Sequence, residues 1–293
     1  MKGKTERASL SNVIFYSITF FLMALFALSF LFILVYMVLN SLRTSESYSE
    51  NPLRMFEFTK FTLDGYKTAV EFTMVTTKGE YSLMGMIGNT LIVVTGCVFL
   101  NTFYPSITGY IVAKYNFKFK SVMNGFALFR LVIPTVGSTV TTFVFIHSIG
   151  LYNSFGSIFL LSSSGLTFGY FIFKNYYSSI PIEYMEAGYL DGAGEWTIFT
   201  KLMLPQALPV MVSIAIMQFI AAWNDYFTPY LYIPDRPTLA LGVNEIYTRY
   251  ASLQYNYPPA FAAMTVTTAV ILVIYAFCSK TIMESMSVGG LKG

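Results

Sequence analysis

Long apolar stretches dominate the pattern of hydrophobic and polar positions along the chain. Five of them contain no Asp, Glu, Lys or Arg, and they cover residues 8–42, 81–113, 131–173, 202–224 and 250–279. A helix needs about 20 apolar residues to cross a bilayer. Each stretch therefore predicts at least one membrane-spanning helix, and the longest one has room for two.

Turn signals divide the apolar stretches into six predicted spans within an all-α transmembrane domain, 13–282. The spans are placed at about 13–39, 88–113, 121–148, 156–175, 206–230 and 259–279. Gly, Asn and Ser cluster at Gly150–Ser157 and separate the third span from the fourth. Arg130 and Pro134 fall inside the third span, where the long Arg130 side chain is interpreted as reaching the membrane surface.

Composition supports this interpretation and excludes nucleic acid as a partner. The chain is 55% hydrophobic and 11% charged, whereas about 25% charged residues is usual for a soluble domain. Its net charge is only +3, and no Lys/Arg cluster is interleaved with aromatic residues as a nucleic-acid surface requires. The first apolar run, 13–39, is longer than the roughly 7–15 residues of a signal-peptide core, so it predicts a retained span.

Lys and Arg in the short connections predict the orientation, because they accumulate on the cytoplasmic side. The basic residues in question are Lys2, Lys4, Arg7, Lys114, Lys118 and Lys120. On the other side, the connections 40–87 and 231–258 match their basic residues with acids. We therefore expect the N-terminus 1–12, the tail 283–293 and the segment 178–205 to be cytoplasmic, and membrane lipids to surround the spans.

The segment 178–205 predicts a short amphipathic helix between two spans. Ser178, Ser179 and Pro181 are a helix-start signal, and Gly192 is a stop signal. The helix would have about 13 residues and be about 20 Å long, too short to cross a membrane. It carries acids and no base before Lys201, which suits a protein partner better than an anionic lipid surface.

The same segment contains a spaced motif. Its order is Glu186-Ala187-Gly188, three residues, Gly192, nine residues, Leu202, one residue, Leu204-Pro205. This order resembles the EAA signature of ABC importer permeases, with Gly188 in place of Ala and Leu202 in place of Ile. Further stretches, Phe219–Ile233, Leu239–Ile246 and Ser285–Gly293, are similar to permeases of the maltose type, and over residues 85–293 the smaller subunit of that system fits best.

The resemblance implies a type I importer fold of six helices with a cytoplasmic coupling helix that docks on an ATPase. The residues it assigns to coupling are Tyr184, Met185, Glu186, Ala187, Gly188, Asp191 and Gly192. Pro205 and Pro209 are expected to let the next span start at an angle. The implied partners are a homologous permease subunit, an ATPase dimer, an extracytoplasmic binding protein and a carbohydrate substrate. The chain has no GxxxxGK[ST] phosphate loop, so we expect ATP and Mg²⁺ to bind to the ATPase, with no cofactor, metal or catalytic residue here.

Polar residues in and near the spans are the candidate substrate pathway, namely Asn101, Gln218, Trp223, Asn224, Asp225 and Tyr226. A carboxylate at membrane depth is costly and is a functional candidate for that reason. The competing interpretation makes Asp225 an interfacial helix cap in contact with water. Asn101 and Gln218 either line the pathway or bond to neighbouring helices.

Three other functions stay open at this point. One is an ABC importer permease for a solute other than a sugar. Another is a stand-alone secondary transporter, which would ordinarily carry proton-relay or ion-coupling groups that the predicted spans lack. The third is a membrane-embedded enzyme, which is disfavoured because the chain has one His, His147, and no HExxH or GxSxG sequence.

Overall fold

A computed structural model describes residues 10–54, 56, 61–133, 135–252 and 254–289. The first part of the predicted N-terminal segment 1–12, the end of the predicted tail 283–293, and Pro134 lie outside the described residues. The helices in chain order are α1 (Leu10–Ser41), α2 (Ser45–Glu50), α3 (Asp64–Glu71), α4 (Leu83–Lys114), α5 (Lys120–Val132), α6 (Thr139–Ser148), α7 (Phe155–Ser162), α8 (Phe168–Ser179), α9 (Glu183–Leu190), α10 (Glu195–Ile198), α11 (Leu204–Gln206), α12 (Leu208–Asn224), α13 (Phe227–Tyr232), α14 (Leu239–Ile246) and α15 (Pro258–Gly289).

Three helices in the described chain are long and apolar enough to cross a membrane. They are Asn12–Ser41, Leu83–Lys114 and Pro258–Phe277, with mean hydropathies of 2.8, 2.0 and 2.1. The pair Glu195–Gln206 and Leu208–Asn224 makes a fourth if its bent halves are counted as one span. The predicted spans 13–39 and 88–113 lie inside the first two of these helices. The predicted span 259–279 overlaps the third and lies within α15.

The other predicted spans are interrupted. The third is built from α5 and α6, joined through a 3-10 turn at Thr135–Ser138, and the fourth from α7 and α8, separated by residues 163–167. The fifth, predicted to run to 230, stops at Asn224 because Asp225 has extended backbone angles. The number of membrane crossings therefore stays a prediction.

The chain divides into two compact units. The first consists of the described residues up to Val70 together with Ile246–Val266. Its small core is aromatic: the ring of Tyr48 lies 5.2 Å from that of Tyr257 and 5.6 Å from that of Phe261. Arg43 is 1% exposed and donates hydrogen bonds to the Asn40 and Ser47 side chains, which satisfies much of its buried guanidinium.

The second unit, Glu71–Glu245 with the remainder of α15 from Thr267, contains both candidate sites. Its centre is α4, which packs on α8, α12 and α7. At the crossing with α8, a Cβ added to Gly109 would lie 2.8 Å from Phe173 Cβ and 2.9 Å from the Lys174 backbone nitrogen. Only glycine fits this close approach of two helices.

A two-stranded antiparallel sheet precedes α4 and was not predicted from the sequence. Strand β1 (Thr73–Thr76) pairs with β2 (Gly79–Ser82), with Thr73 opposite Ser82 and Thr76 opposite Gly79. Gly79 has φ +137°, a conformation that favours glycine. The strands are only four residues long, which explains why their alternation is too short to be recognised in the sequence.

Candidate functional site

The candidate coupling helix is α9, and it is shorter than the sequence predicted. It spans eight residues, Glu183–Leu190, rather than about 13, because the backbone is extended at Ile180 before Pro181. Glu183 and Glu186 lie in its first turn, where carboxylates interact favourably with the helix dipole.

The C-terminal end of α9 is a Schellman turn. The backbone N–H of Gly192 donates to Tyr189 O at 3.0 Å, and that of Ala193 donates to Gly188 O at 3.0 Å. Gly192 has φ +76°, the left-handed conformation that this motif requires. The prediction that Gly192 ends the helix is confirmed.

The inner face of α9 packs on the next part of the chain. Met185 is 2% exposed and belongs to a core cluster with Tyr110, Phe173, Ile198 and other buried residues. Gly188 is buried too, and a Cβ there would lie 3.0 Å from Leu202 Cδ1 and 3.1 Å from Ile198 Cγ1. The sequence placed both residues where a partner would dock; the structure corrects this, because both are covered by the chain itself.

This packing explains the spacing of the EAA-like motif within the chain. After Gly192 the chain returns through α10 and a π-helical segment, Phe199–Met203, which brings Leu202 over Gly188. The following pair of helices is bent by 74° between Gln206 and Leu208. The prediction that the prolines let the next span start at an angle is therefore confirmed, and the missing N–H of Pro209 falls in the first turn of α12, where it is tolerated.

The outer face of α9 is exposed. Leu190 is 89% exposed and Tyr184 is 52% exposed, and Glu186, Ala187 and Asp191 are exposed around them. We call these five residues the α9 outer face. Four of them, Tyr184, Glu186, Ala187 and Asp191, belong to the predicted coupling set, and together with Gly192 they are the part of that set that a partner can reach from outside. The sequence analysis did not single out Leu190.

A tyrosine–carboxylate cluster ties α9 to the end of α4. The Glu195 carboxylate accepts hydrogen bonds from the hydroxyls of Tyr115 and Tyr189, the latter at 2.8 Å, and the Tyr115 and Tyr110 hydroxyls lie 3.1 Å apart. Burial and the bond to Glu195 raise the pKa of Tyr115. The sequence analysis missed this cluster because Tyr115 and Glu195 are far apart along the chain.

The second candidate site is a cavity of about 380 Å³ in the same unit. Its lining comes from α4, α6, α7, α12 and α13 and the residues joining them, and consists of Val93, Cys97, Asn101, Ser138, Thr139, Thr142, Ile158, Leu161, Ser162, Ala222, Asp225, Phe227, Thr228, Pro229, Leu231 and Tyr232. Of the six residues predicted for a substrate pathway, Asn101 and Asp225 line this cavity.

The other four predicted pathway residues lie elsewhere. Trp223 is 7% exposed in an apolar cluster with Val94 and Leu239, so its predicted place in the substrate pathway is corrected: the ring is part of the core. Asn224 is exposed and donates to Ile220 O at 2.8 Å. Tyr226 is 45% exposed and Gln218 is half-buried, and neither contributes to the cavity wall.

Asp225 also has a structural role that the sequence analysis kept as an alternative. Its Oδ1 accepts a hydrogen bond from the Thr228 backbone N–H at 2.9 Å, at the start of α13. This is the geometry of an N-terminal helix cap. The carboxylate therefore both caps α13 and lines the cavity.

The loop after α13 is held by a second carboxylate, Asp235, which the sequence analysis did not single out. Asp235 accepts hydrogen bonds from the Thr77 backbone N–H at 3.0 Å, from the Thr77 hydroxyl, and from Asn153 Nδ2 at 2.5 Å. These bonds hold the pKa of Asp235 below its ordinary value, with the Thr77 side chain as the main cause. Asn153 also donates its backbone N–H to Tyr232 O at 2.8 Å. The network therefore fixes the end of α13, where Tyr232 lines the cavity.

Among the described residues, no group of three or more His, Cys, Asp or Glu side chains is arranged to hold a metal ion. Arg130, which was interpreted as reaching the membrane surface, donates to the Ser164 hydroxyl and is exposed.

The fold and motif together define an integral membrane permease of an ABC importer. Residues 105–284 match the family model of the binding-protein-dependent transport system inner membrane component. This match covers more than half of the chain, and the chain belongs to that family.

Curated relatives and a solved structure agree with this assignment. The chain is 28% identical over 265 residues to the arabinooligosaccharides transport system permease protein AraQ of Halalkalibacterium halodurans, covering 89% of this chain and 91% of the relative. It is 30% identical over 215 residues to the diacetylchitobiose uptake system permease protein NgcG of Streptomyces coelicolor, covering 72% and 69%.

The fold is that of a type I ABC importer permease. A bacterial ABC transporter involved in the import of the acidic polysaccharide alginate contains a chain that superposes with a TM-score of 0.78. The two share 18% sequence identity, and the superposition covers 94% of this chain and 99% of the other. At this identity the similarity concerns the fold, and it confirms the predicted fold class.

Proposed function

We propose that this chain is one of two permease subunits of a carbohydrate importer, and that α9 is the coupling helix on which a cytoplasmic ATPase docks. The distribution of Lys and Arg in the short connections supports a cytoplasmic position for both termini and for the segment 178–205. A homologous permease, an ATPase dimer carrying ATP and Mg²⁺, and an extracytoplasmic binding protein complete the transporter.

The observation that carries the proposal is that one face of α9 is packed against the protein and the opposite face is exposed. Its inner face is fixed by Met185 and Gly188, and its end is fixed by the Schellman turn at Gly192. A helix held in this way moves together with α10–α12 when its outer face is displaced. That is the property a coupling element needs, since a flexible loop would absorb the displacement.

The chemistry of the α9 outer face favours a protein partner with a basic rim. Leu190 and Tyr184 present exposed apolar area, and the exposed Glu186 and Asp191 add negative charge. Apolar anchors with a charged rim are typical of protein interfaces. We expect the ATPase to offer an apolar cleft that receives Leu190.

Carbohydrate is the proposed substrate class for two reasons. The relatives named above act in arabinooligosaccharide transport and diacetylchitobiose uptake, and the cavity beside Asp225 is lined with hydroxyl and amide groups. Asn101 and Asp225 are the proposed pathway residues within this subunit, with Asn224, Tyr226 and Gln218 as further candidates outside the cavity. A non-sugar solute is the alternative.

The test of the ATPase interaction is Leu190→Asp in the full transporter. Burying an unpaired carboxylate at an interface centre is expected to weaken ATPase attachment by at least about 30-fold, or about 2 kcal/mol. Co-purification of the ATPase with the permease pair, followed by binding measurements on the purified components, gives the affinity. Leu53→Asp is the matched control, because Leu53 is 78% exposed in a connection predicted to be extracytoplasmic.

Three outcomes would contradict all or part of the proposal. Equal ATPase attachment by the Leu190 and Leu53 variants would show that α9 is not the docking helix. Uptake by the purified chain alone, without an ATPase, would replace an ABC importer subunit with a secondary transporter. If the binding protein and the transporter respond only to non-sugar solutes, the proposed substrate class is wrong, while the assignment to an ABC importer stands.

A further inference from the structure

The cavity beside Asp225 has hydrogen-bonding groups that the protein does not use. Among the described residues, Asp225 Oδ2, Asn101 Oδ1 and the hydroxyls of Thr142 and Thr228 have no hydrogen-bond partner, although all four residues line the cavity. One atom of each of the first two residues is already hydrogen-bonded. Asn101 Nδ2 donates to Cys97 O at 3.0 Å, and Asp225 Oδ1 accepts from the Thr228 backbone N–H. The unused atoms are available to a ligand.

The arrangement of these groups suits a ligand with several hydroxyls. The two unused carboxylate and amide oxygens accept hydrogen bonds, and the two threonine hydroxyls both donate and accept. The volume of about 380 Å³ lies at the lower end of the range of about 300–1,000 Å³ for ligand pockets. Phe227 and Tyr232 add aromatic surface to the lining, which complements the apolar faces of a sugar ring.

The charge of the cavity restricts the ligand further. Asp225 is the one charged side chain among the described residues that line it, and no Lys or Arg is available there to pair with an anion. A carboxylate on the ligand would be brought close to Asp225 in a partly desolvated space, which costs free energy through like-charge repulsion. A neutral sugar avoids this repulsion, and an ammonium group would be attracted.

We infer that this cavity is a sugar subsite contributed by this subunit, one that accepts neutral or amino sugars and discriminates against acidic ones. The inference rests on the proposed carbohydrate function and specifies which class of carbohydrate it concerns. Asp225 acts through its free Oδ2 atom, while its Oδ1 atom remains the cap of α13.

The experiment uses the complete transporter in detergent or nanodiscs, with three disaccharide probes. These are cellobiose as the neutral probe, the unacetylated glucosamine dimer as the cationic probe, and digalacturonate as the acidic probe. The wild type is expected to bind the neutral and cationic dimers, and to bind digalacturonate at least about tenfold more weakly. Asp225→Asn retains an oxygen for the Thr228 N–H and removes the charge, so the discrimination against digalacturonate is expected to shrink to about threefold or less.

A second pair of variants tests the hydroxyl contacts without changing charge. Thr142→Val has nearly the same shape and is expected to weaken cellobiose binding by about two- to tenfold, the effect of one hydrogen bond. Thr141→Val is the matched control, since Thr141 is exposed and does not line the cavity, and it is expected to bind cellobiose as the wild type does.

Three results would overturn the inference. They are wild-type binding of digalacturonate as tight as that of cellobiose, identical behaviour of the Thr142 and Thr141 variants, and binding of none of the three probes. If carbohydrate still stimulates ATP hydrolysis by the transporter in these cases, the proposed function stands and only the subsite fails. Failure of the proposed function would give a different result. Carbohydrate would not stimulate ATP hydrolysis with any binding protein, and no ATPase would co-purify with the permease.

Discussion

The two candidate sites of this permease are built in opposite ways. The segment from α9 to α11 is formed by residues close together in sequence, and Ile198 and Leu202 pack on Gly188 within it. The cavity takes Asn101 from α4, Thr142 from α6, and Asp225 from the end of α12. Local packing leaves a spaced motif in the sequence, whereas a site assembled from distant helices leaves isolated polar residues.

The two regions also differ in what stabilises them. Apolar burial fixes α9: Met185, Ile198 and Met203 are nearly inaccessible to solvent, and burying such a side chain contributes about 1.5–3 kcal/mol. The cavity wall also has a packed core, which includes Val93, Ile158 and Tyr232. The loop beyond it is held by hydrogen bonds to Asp225 and Asp235, and one hydrogen bond contributes less than the burial of a large apolar side chain. Substitutions in the first region should therefore affect stability most.

Gly188→Ile is expected to have the largest effect on stability. The added branches would enter a space where even a Cβ lies 3.0 Å from Leu202 Cδ1 and 3.1 Å from Ile198 Cγ1. Overpacking of this kind costs about 1–3 kcal/mol. We expect a lower thermal midpoint for the detergent-purified permease, together with weaker ATPase attachment because α9 is displaced outward.

Two controls separate overpacking from a change in the partner surface. Gly188→Ala adds one methyl group 3.0 Å from Leu202 Cδ1 and 3.1 Å from Ile198 Cγ1, so it should lower the thermal midpoint less than Gly188→Ile does. Ala187→Ile places the larger side chain on the exposed neighbour, where it should leave the thermal midpoint unchanged. A Gly188→Ile protein as stable as the wild type would mean that the packing of α9 on α10 is not rigid.

Gly192→Val is expected to have an intermediate effect, and it acts through the backbone alone. A Cβ on Gly192 would meet nothing within 4 Å, but its φ is +76°. A branched residue in this conformation costs about 1–2 kcal/mol. The strain should loosen the end of α9 and reduce substrate-stimulated ATP hydrolysis more than it reduces ATPase attachment.

Gly194→Val provides the matched control two residues later. Gly194 also has open space around its Cβ position, and its φ of −76° and ψ of 163° are ordinary extended values. We expect the Gly194 variant to retain both stability and coupling. If the two glycine variants lose the same activity, left-handed strain at Gly192 is not the cause.

The contrast between the regions explains which features the sequence revealed. The end of α9 at Gly192, the bend before Pro209 and the family fold were predictable, because glycine, proline and motif spacing act locally. The inward position of Met185 and Gly188 was not predicted, because an eight-residue helix shows too little periodicity to identify its buried face. Trp223 was misassigned for a related reason: an aromatic ring beside polar residues looks the same in sequence whether it packs in the core or contacts a sugar.

Asp235→Asn is expected to have the smallest effect, one that depends on pH. The folded state lowers the pKa of Asp235 through the hydrogen bonds from Thr77 and Asn153. The stabilisation is therefore fully present above the unfolded pKa of about 3.9 and is lost as the pH falls below it, through the lower folded pKa. The advantage of the wild type over the variant should thus begin to shrink as the pH falls below about 3.9.

The measurement is the thermal midpoint of both proteins between pH 3 and pH 7, with Asp64→Asn as the control that removes an exposed carboxylate. At neutral pH the Asp235 variant should be slightly less stable. The N–H donors of the new amide group would face the Asn153 Nδ2 donor, which bonds to the carboxylate in the wild type. Because Asn153 also holds Tyr232 O, cellobiose binding in the cavity should weaken in parallel. If the variant differs from the wild type in stability by the same amount at pH 3 and pH 7, the charge of the Asp235 carboxylate does not stabilise the loop. The cavity region would then be stabilised by packing, as α9 is.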